Sequence, residues 1–240
     1  MKIRTTKNGL KIILVLWGRS NAYLIIKDKT VVLVDTGKTS AFRTLERNIQ
    51  SLNLSIANIS FLILTHTHFD HCQSARNIQV KSGCKIIVSG KATNSVKNGY
   101  TRLPGGTGFA TKLASALGRL IGKRKFGYEP FLTDISVDDE YILKTNDFDL
   151  KILETAGHSS DSVSIIADNE IAIVGDAMFG VFKDNILPPF CDDVNMLIKS
   201  WGKILETDCR IFLPGHGKEI SRELLQKEYF KRLNSSLHTA

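Results

Sequence analysis

Five short runs in this sequence stop abruptly at a residue that can carry chemistry. Residues 31–34 end at Asp35, residues 61–64 at the segment THTHFDH, residues 149–153 shortly before Gly157 and His158, residues 171–174 at Gly175 and Asp176, and residues 211–213 at Pro214, Gly215 and His216. Apolar runs this short suit strands buried on both faces and are too brief for helices. Repetition of the pattern constrains the chain to buried sheet whose chemical groups gather where the strands end, on rigid supports. Glycine beside His158, Asp176 and His216 permits the backbone turns that a crowded site needs.

The remaining pattern covers that sheet. Strands are predicted at 11–17, 22–27, 30–34, 61–64, 85–88, 141–143, 149–153, 162–167, 171–174 and 209–213. Helical spacing follows Ser40, read as an N-cap, through Phe42, Leu45, Ile49 and Leu52, and recurs over 70–81, 193–206 and 221–233. Strands outnumber helices and the two are interleaved, which implies a layered α/β fold with sheets covered by helices. At 240 residues and 42% apolar, one domain over 1–240 has ample core. No window approaches the roughly 18 apolar residues of a membrane span. The apolar run 12–17 near the basic start is read as a first strand, because no small-residue cleavage site follows it. Cys72, Cys84, Cys191 and Cys209 form no CxxC pair and read as reduced thiols of a cytoplasmic protein.

Residues 65–71 hold three of the six histidines beside an aspartate. Neutral imidazole and carboxylate are ligands for the same transition metals. On an extended segment leaving a strand, His66 and His68 fall on one side and can chelate one ion. Asp70 and His71 follow where the pattern turns helical, and they diverge enough to serve a second position. Two metals are therefore expected rather than one.

The motifs VLVDTG (32–37), FLILTHTHFDH (61–71), ETAGHSSDSVSI (154–165), AIVGDAMF (172–179) and FLPGHG (212–217) resemble, in order and spacing, the metallo-β-lactamase fold superfamily over nearly the whole chain. The resemblance implies an αββα sandwich of two mixed β-sheets flanked by helices, with a dinuclear site at one edge. It implies that His66, His68 and His158 hold one metal, that Asp70, His71 and His216 hold the other, and that Asp176 bridges them. Asp35 would orient the histidine loop without binding metal. The implied cofactors are two zinc ions, with iron or manganese as substitutes. The implied activity is hydrolysis of an ester, lactone or thioester carbonyl by a hydroxide shared between the metals, with Asp70 also carrying a proton to the leaving group. The same site suits a phosphodiesterase or nuclease, and an iron-loaded one an oxygen-using redox enzyme. The ligand set is similar to the glyoxalase II and N-acyl-homoserine lactonase branches. It departs from the best-known β-lactamases, which have a cysteine at the position of Asp176, and from the lactonases, which have a tyrosine at that of Phe179. The 24 residues after His216 are fewer than the glutathione-binding helical domain of glyoxalase II needs, so that domain is not expected.

A basic, lid-like insert is expected at about 91–130. Between His71 and Tyr128 there are eleven Lys and Arg and no Asp or Glu; the rest of the chain has 21 basic and 24 acidic residues, so this stretch alone sets the net charge of +8. Within it Phe109, Leu113, Leu117, Leu120 and Ile121 recur at helical spacing, Lys112, Arg119 and Lys123 lie off that stripe, and LPGGTG at 103–108 is a hinge. Three readings follow: a covering helix whose apolar stripe packs on the body, a lid over the metals, or an amphipathic helix on an anionic membrane. The expected partner is a small acyl substrate, anionic or lipid-like. Nucleic acid ranks below it, because no recognised nucleic-acid motif accompanies the basic residues. Oligomeric state has no signal in the sequence.

Overall fold

Two twisted sheets face one another, and every second residue of their strands explains why. The computed structural model describes residues 1–237, with side chains through residue 234. The first sheet runs in chain order through β1 (Ile3–Thr5), β2 (Lys11–Leu16), β3 (Ala22–Lys27), β4 (Thr30–Val34), β5 (Phe61–Ile63), β6 (Lys85–Ser89) and β7 (Ile135–Val137). Its first four strands are antiparallel neighbours, and β4 to β7 run parallel. The second sheet comprises β8 (Glu140–Lys144), β9 (Asp149–Glu154), β10 (Val163–Ala167), β11 (Ile171–Gly175), β12 (Ile211–Pro214) and β13 (Ile220–Ser221), in the spatial order β13-β12-β11-β10-β9-β8. Only its β11–β12 pair is parallel. The hairpin joining β10 to β11 has a three-residue connection whose Asp168 and Asn169 are left-handed, with φ of 50° and 55°, and whose Glu170 N–H donates to the Ala167 carbonyl.

Side-chain alternation divides the apolar residues into three layers. Ile25, Val32, Ile63 and Ile87 of the first sheet meet Ile152, Ile165 and Ile173 of the second in a dry central layer. Their neighbours Leu24, Leu33, Leu62 and Ile86 face outward and are covered by α1 (Phe42–Gln50) and α3 (Ala75–Ser82) through Leu45, Ile49 and Ile78. On the opposite side Ile166, Val174 and Phe212 pack under α7 (Val194–Leu205) and α8 (Arg222–Leu237) through Trp201, Ile204 and Leu225. Each such side chain stabilises the fold by roughly 1.5–3 kcal/mol through burial. The layers form an αββα sandwich. Among the described residues no helix is long and apolar enough to cross a membrane.

Strand and helix ends shift by one or two residues, and the sequence-based reading differs more in four places. Ser40 is not an N-cap: it lies inside a 3-10 turn, Thr39–Ala41, and α1 starts from Ala41 without a side-chain cap. The helix predicted over 70–81 is two helices, α2 (Phe69–Cys72) and α3. Between them Ser74 donates its N–H to Thr36 Oγ1 and its hydroxyl to the Lys38 carbonyl, tertiary bonds that replace helix continuation there. The last helix begins at Arg222, because Ser221 pairs in β13.

The fourth difference concerns the insert, which folds as α4 (Thr93–Asn98), α5 (Phe109–Ile121) and α6 (Lys123–Phe126). The apolar stripe of α5 does not pack on the body. Phe109 is 88% exposed and Leu120 84%, while the helix rests on Ser115 and Gly118. A Cβ on Gly118 would come within 2.6 Å of Leu103, so the missing side chain is what allows this close seat.

Candidate metal centre

The five strand ends converge on one edge of the sandwich. Asp35 follows β4 in the left-handed region (φ 59°), a conformation held by its own bonds: its carboxylate accepts from Thr65 N (2.8 Å), Thr65 Oγ1 (2.8 Å) and His71 Nδ1 (2.9 Å). Thr65 to His68 leave β5 as irregular chain that bends at Thr65 and is extended at His68, and α2 then carries Asp70 and His71. From the second sheet come His158 after β9, Asp176 after β11 and His216 after β12. Helix α7 ties down two of these loops, with Ser200 Oγ donating to the Ala156 carbonyl and Trp201 Nε1 to that of Ala177 (2.6 Å each). The His216 loop is fastened by the first sheet: Asn21 N–H donates to the Gly215 carbonyl (2.7 Å), and Asn21 Nδ2 and Tyr23 OH donate to that of Pro214. Gly215 leaves room for this crowding, since a Cβ there would fall 2.2 Å from Asp176 Oδ1.

All seven residues singled out as candidate ligands meet here. His66, His68 and His158 form one group, Asp70, His71 and His216 another, and His66, His71 and Asp176 a third, the donor atoms of each lying within 4.8 Å of one another. Asp176 stands between the halves, Oδ1 3.5 Å from His71 Nε2, and Oδ2 3.5 Å from His158 Nε2 and 3.3 Å from His216 Nε2. Asp70 Oδ2 is 3.8 Å from His216 Nε2. His66 Nε2 and Asp176 Oδ1 are buried with no hydrogen-bond partner.

The imidazoles show what this arrangement lacks. His158 Nδ1 faces the Phe190 carbonyl at 2.8 Å, and His68 Nε2 faces the Arg102 carbonyl at 3.2 Å. A carbonyl only accepts, so those nitrogens carry the protons. Burial lowers the pKa of both rings, that of His158 to about 4, so they are neutral near pH 7. His68 Nδ1 and His158 Nε2 then face each other 3.0 Å apart. Two imidazole nitrogens this close can share a proton or, by their preference as ligands, hold a metal ion. His66 is likewise held well below its ordinary value, by burial first and then by its neighbouring histidines. His71 behaves oppositely: burial acts to lower it, but the Asp176 and Asp35 carboxylates together outweigh burial and hold it up at about 10. Burial would raise the Asp176 carboxyl, yet His216, His71 and His158 together hold it well below the carboxylate range. The donor set is that of a site for divalent ions.

The sequence model of the metallo-beta-lactamase superfamily matches residues 15–216. The chain belongs to the metallo-beta-lactamase superfamily. As a member it is a metal-dependent hydrolase. It is 29% identical over 160 residues to a probable metallo-hydrolase of Methanocaldococcus jannaschii, a match covering 67% of this chain and 68% of that protein. It is 26% identical over 218 residues to the hydroxyacylglutathione hydrolase GloC of Haemophilus influenzae, covering 87% and 91%. Three of the curated relatives are spanned over only 57–68% of their own length. In fold, a metallo-beta-lactamase family protein of Thermus thermophilus superposes with a TM-score of 0.70 over 93% of this chain and 79% of that one, at 19% identity.

In this superfamily member the histidine cluster opens into a cleft of about 320 Å³. His68, Asp70, His158, Asp176 and His216 line it together with Phe69, Phe126, Phe179, Phe190 and Leu103, so a polar base lies among apolar walls. Phe179 stacks toward His216, with ring centroids 5.2 Å apart. Two contributors escaped the sequence reading. Asp161 accepts from Thr67 N–H (2.9 Å) and Oγ1 (2.6 Å), holding the loop between His66 and His68. Arg19 lines the cleft from the β2–β3 loop. Asp161 had a signal in its place three residues after His158; Arg19 had none, because its nearness is purely tertiary.

Proposed function

We propose that the chain is a two-zinc hydrolase of ester, lactone or thioester carbonyls. The convergence of His68 Nδ1 and His158 Nε2, 3.0 Å apart, carries the reading, because inward-facing imidazole nitrogens are metal ligands and lie where the family's chemistry needs an ion. His66, His68 and His158 would hold one ion, Asp70, His71 and His216 the second, and Asp176 would be shared. When bound, the pair supplies an activated water and positive charge for the developing oxyanion. The chain supplies the rest. Asp35 fixes the proton of His71 on Nδ1 and turns Nε2 inward. The phenylalanine walls exclude water and suit an acyl chain better than a nucleotide. The relative named hydroxyacylglutathione hydrolase, matched over most of both chains, supports a thioester.

Elemental analysis of protein purified without added metal tests this directly. About two zinc per chain, with turnover of thioesters or lactones, is the expected result. Iron with oxygen consumption, or turnover of phosphodiesters alone, would replace it.

Asp70, which lines the cleft, would also pass a proton to the leaving group. Asp70→Asn is then expected to lower kcat by about 100-fold or more while KM moves only a few-fold. Steady-state kinetics checks this, and comparable losses in both constants would remove the proton-carrying role.

Metal uptake should also displace protons. The metal-free protein keeps His71 charged below about pH 10, whereas a ligating imidazole is neutral. Loading at pH 7 should release at least about one proton per chain, read from calorimetric titrations in buffers of different ionisation enthalpy. Heats independent of the buffer would show that His71 keeps its proton and does not ligate.

A further inference from the structure

The outer face of α5 is a feature that the hydrolase reading leaves unused. Phe109, Leu113, Leu117, Leu120 and Ile121 are 88%, 56%, 55%, 84% and 47% exposed on one helix. An apolar strip of this size on a surface helix marks something that covers it. Its surroundings indicate what. Lys112, Arg124 and Lys125 flank the strip or follow it directly, and none makes a salt bridge among the described residues, while the sequence from Cys72 to Tyr128 contains no acidic residue. Lys123 adds charge while donating to the Asn98 carbonyl, whereas Arg119 donates to the Leu103 carbonyl and is paired with Asp192 at 3.3 Å.

A second copy of the chain fits this surface poorly. A two-fold interface places the same patch on both sides, so it would set two basic rims against each other, with Asp192, already paired to Arg119, the carboxylate at hand to offset them. An anionic lipid surface meets both features at once: acyl chains accept the apolar strip, and headgroups accept the lysines and arginines. The helix is also seated for this. It touches the body through Ser115 and Gly118, and those residues with Ala114 line the cleft from within.

We propose that α5 docks on anionic membrane, its apolar strip inserted among acyl chains and its basic flank on the headgroups, so that one wall of the cleft lies against the lipid. The binding does not depend on the metal centre, and failure of the hydrolase reading would appear in metal content and turnover instead.

The experiment is co-sedimentation of the full-length protein with vesicles of equimolar phosphatidylglycerol and phosphatidylcholine, compared with pure phosphatidylcholine. Binding to the anionic vesicles at low salt, weakened by raised salt, is expected. Leu117→Glu/Leu120→Glu should reduce it by at least about tenfold, as should Lys112→Glu/Arg124→Glu, with circular dichroism unchanged because all four side chains are exposed. No binding at low salt would overturn the proposal, as would wild-type binding by the leucine double variant. Sedimentation velocity addresses the rival occupant: a dimer that Leu117→Glu/Leu120→Glu turns into monomer would assign the strip to a second copy.

Discussion

Replacing Asp176 with alanine is expected to reduce bound metal from about two ions per chain to one or fewer and to cut turnover by about a thousandfold. Asp176 is the one candidate ligand whose two oxygens face histidines of both halves, at 3.3 to 3.5 Å from His71, His158 and His216. Without it, the histidines lose the charge that lets two cations lie close together in a buried site. The substitution should spare the sandwich, because Asp176 lies beyond β11 and belongs to none of the three apolar layers. Metal analysis, kinetics and circular dichroism on one preparation separate these effects. Two ions retained with near-normal turnover would show that the halves do not share this carboxylate.

Asp35 should matter for a different reason, and two substitutions divide its roles. Alanine leaves the Thr65 amide, the Thr65 hydroxyl and His71 Nδ1 without the acceptor they use, buried groups whose combined loss is expected to cost about 3 kcal/mol or more of stability. Asparagine keeps the size and tolerates the left-handed backbone. The Thr65 amide can only donate, so the asparagine oxygen must stay with it, and the new NH₂ turns toward His71 Nδ1. His71 Nδ1 must then accept, which moves its proton to Nε2 and removes that nitrogen as a ligand. Asp35→Asn should therefore melt near the wild-type temperature but bind metal about 10- to 100-fold more weakly. Equal melting and equal metal affinity in both variants would show that the contact does neither job.

The candidate ligands were legible because each follows a strand whose apolar run can be recognised from three to five residues, and glycine marks the sharp turns beside three of them. Strands β1, β7 and β13 were not, since their two or three residues mix polar with apolar and form no apolar run. The stripe on α5 illustrates another limit. Helical spacing groups Phe109, Leu113, Leu117 and Leu120 on one arc, but it does not say toward what the arc points; here the small residues Ser115 and Gly118 face the body and the large ones face away. The break at Gln73 and Ser74 was hidden because the competing acceptors, Thr36 and the Lys38 carbonyl, come from a loop more than thirty residues earlier.

The division of the seven candidate ligands between the sheets has a mechanical consequence. His66, His68, Asp70 and His71 leave the first sheet, and His158, Asp176 and His216 leave the second. An ion held by both sets is a rivet through the two halves of the sandwich at the edge where the loops are densest. Its grip adds to the cohesion of the native state by mass action, so a chelator should loosen the whole molecule and not merely silence it.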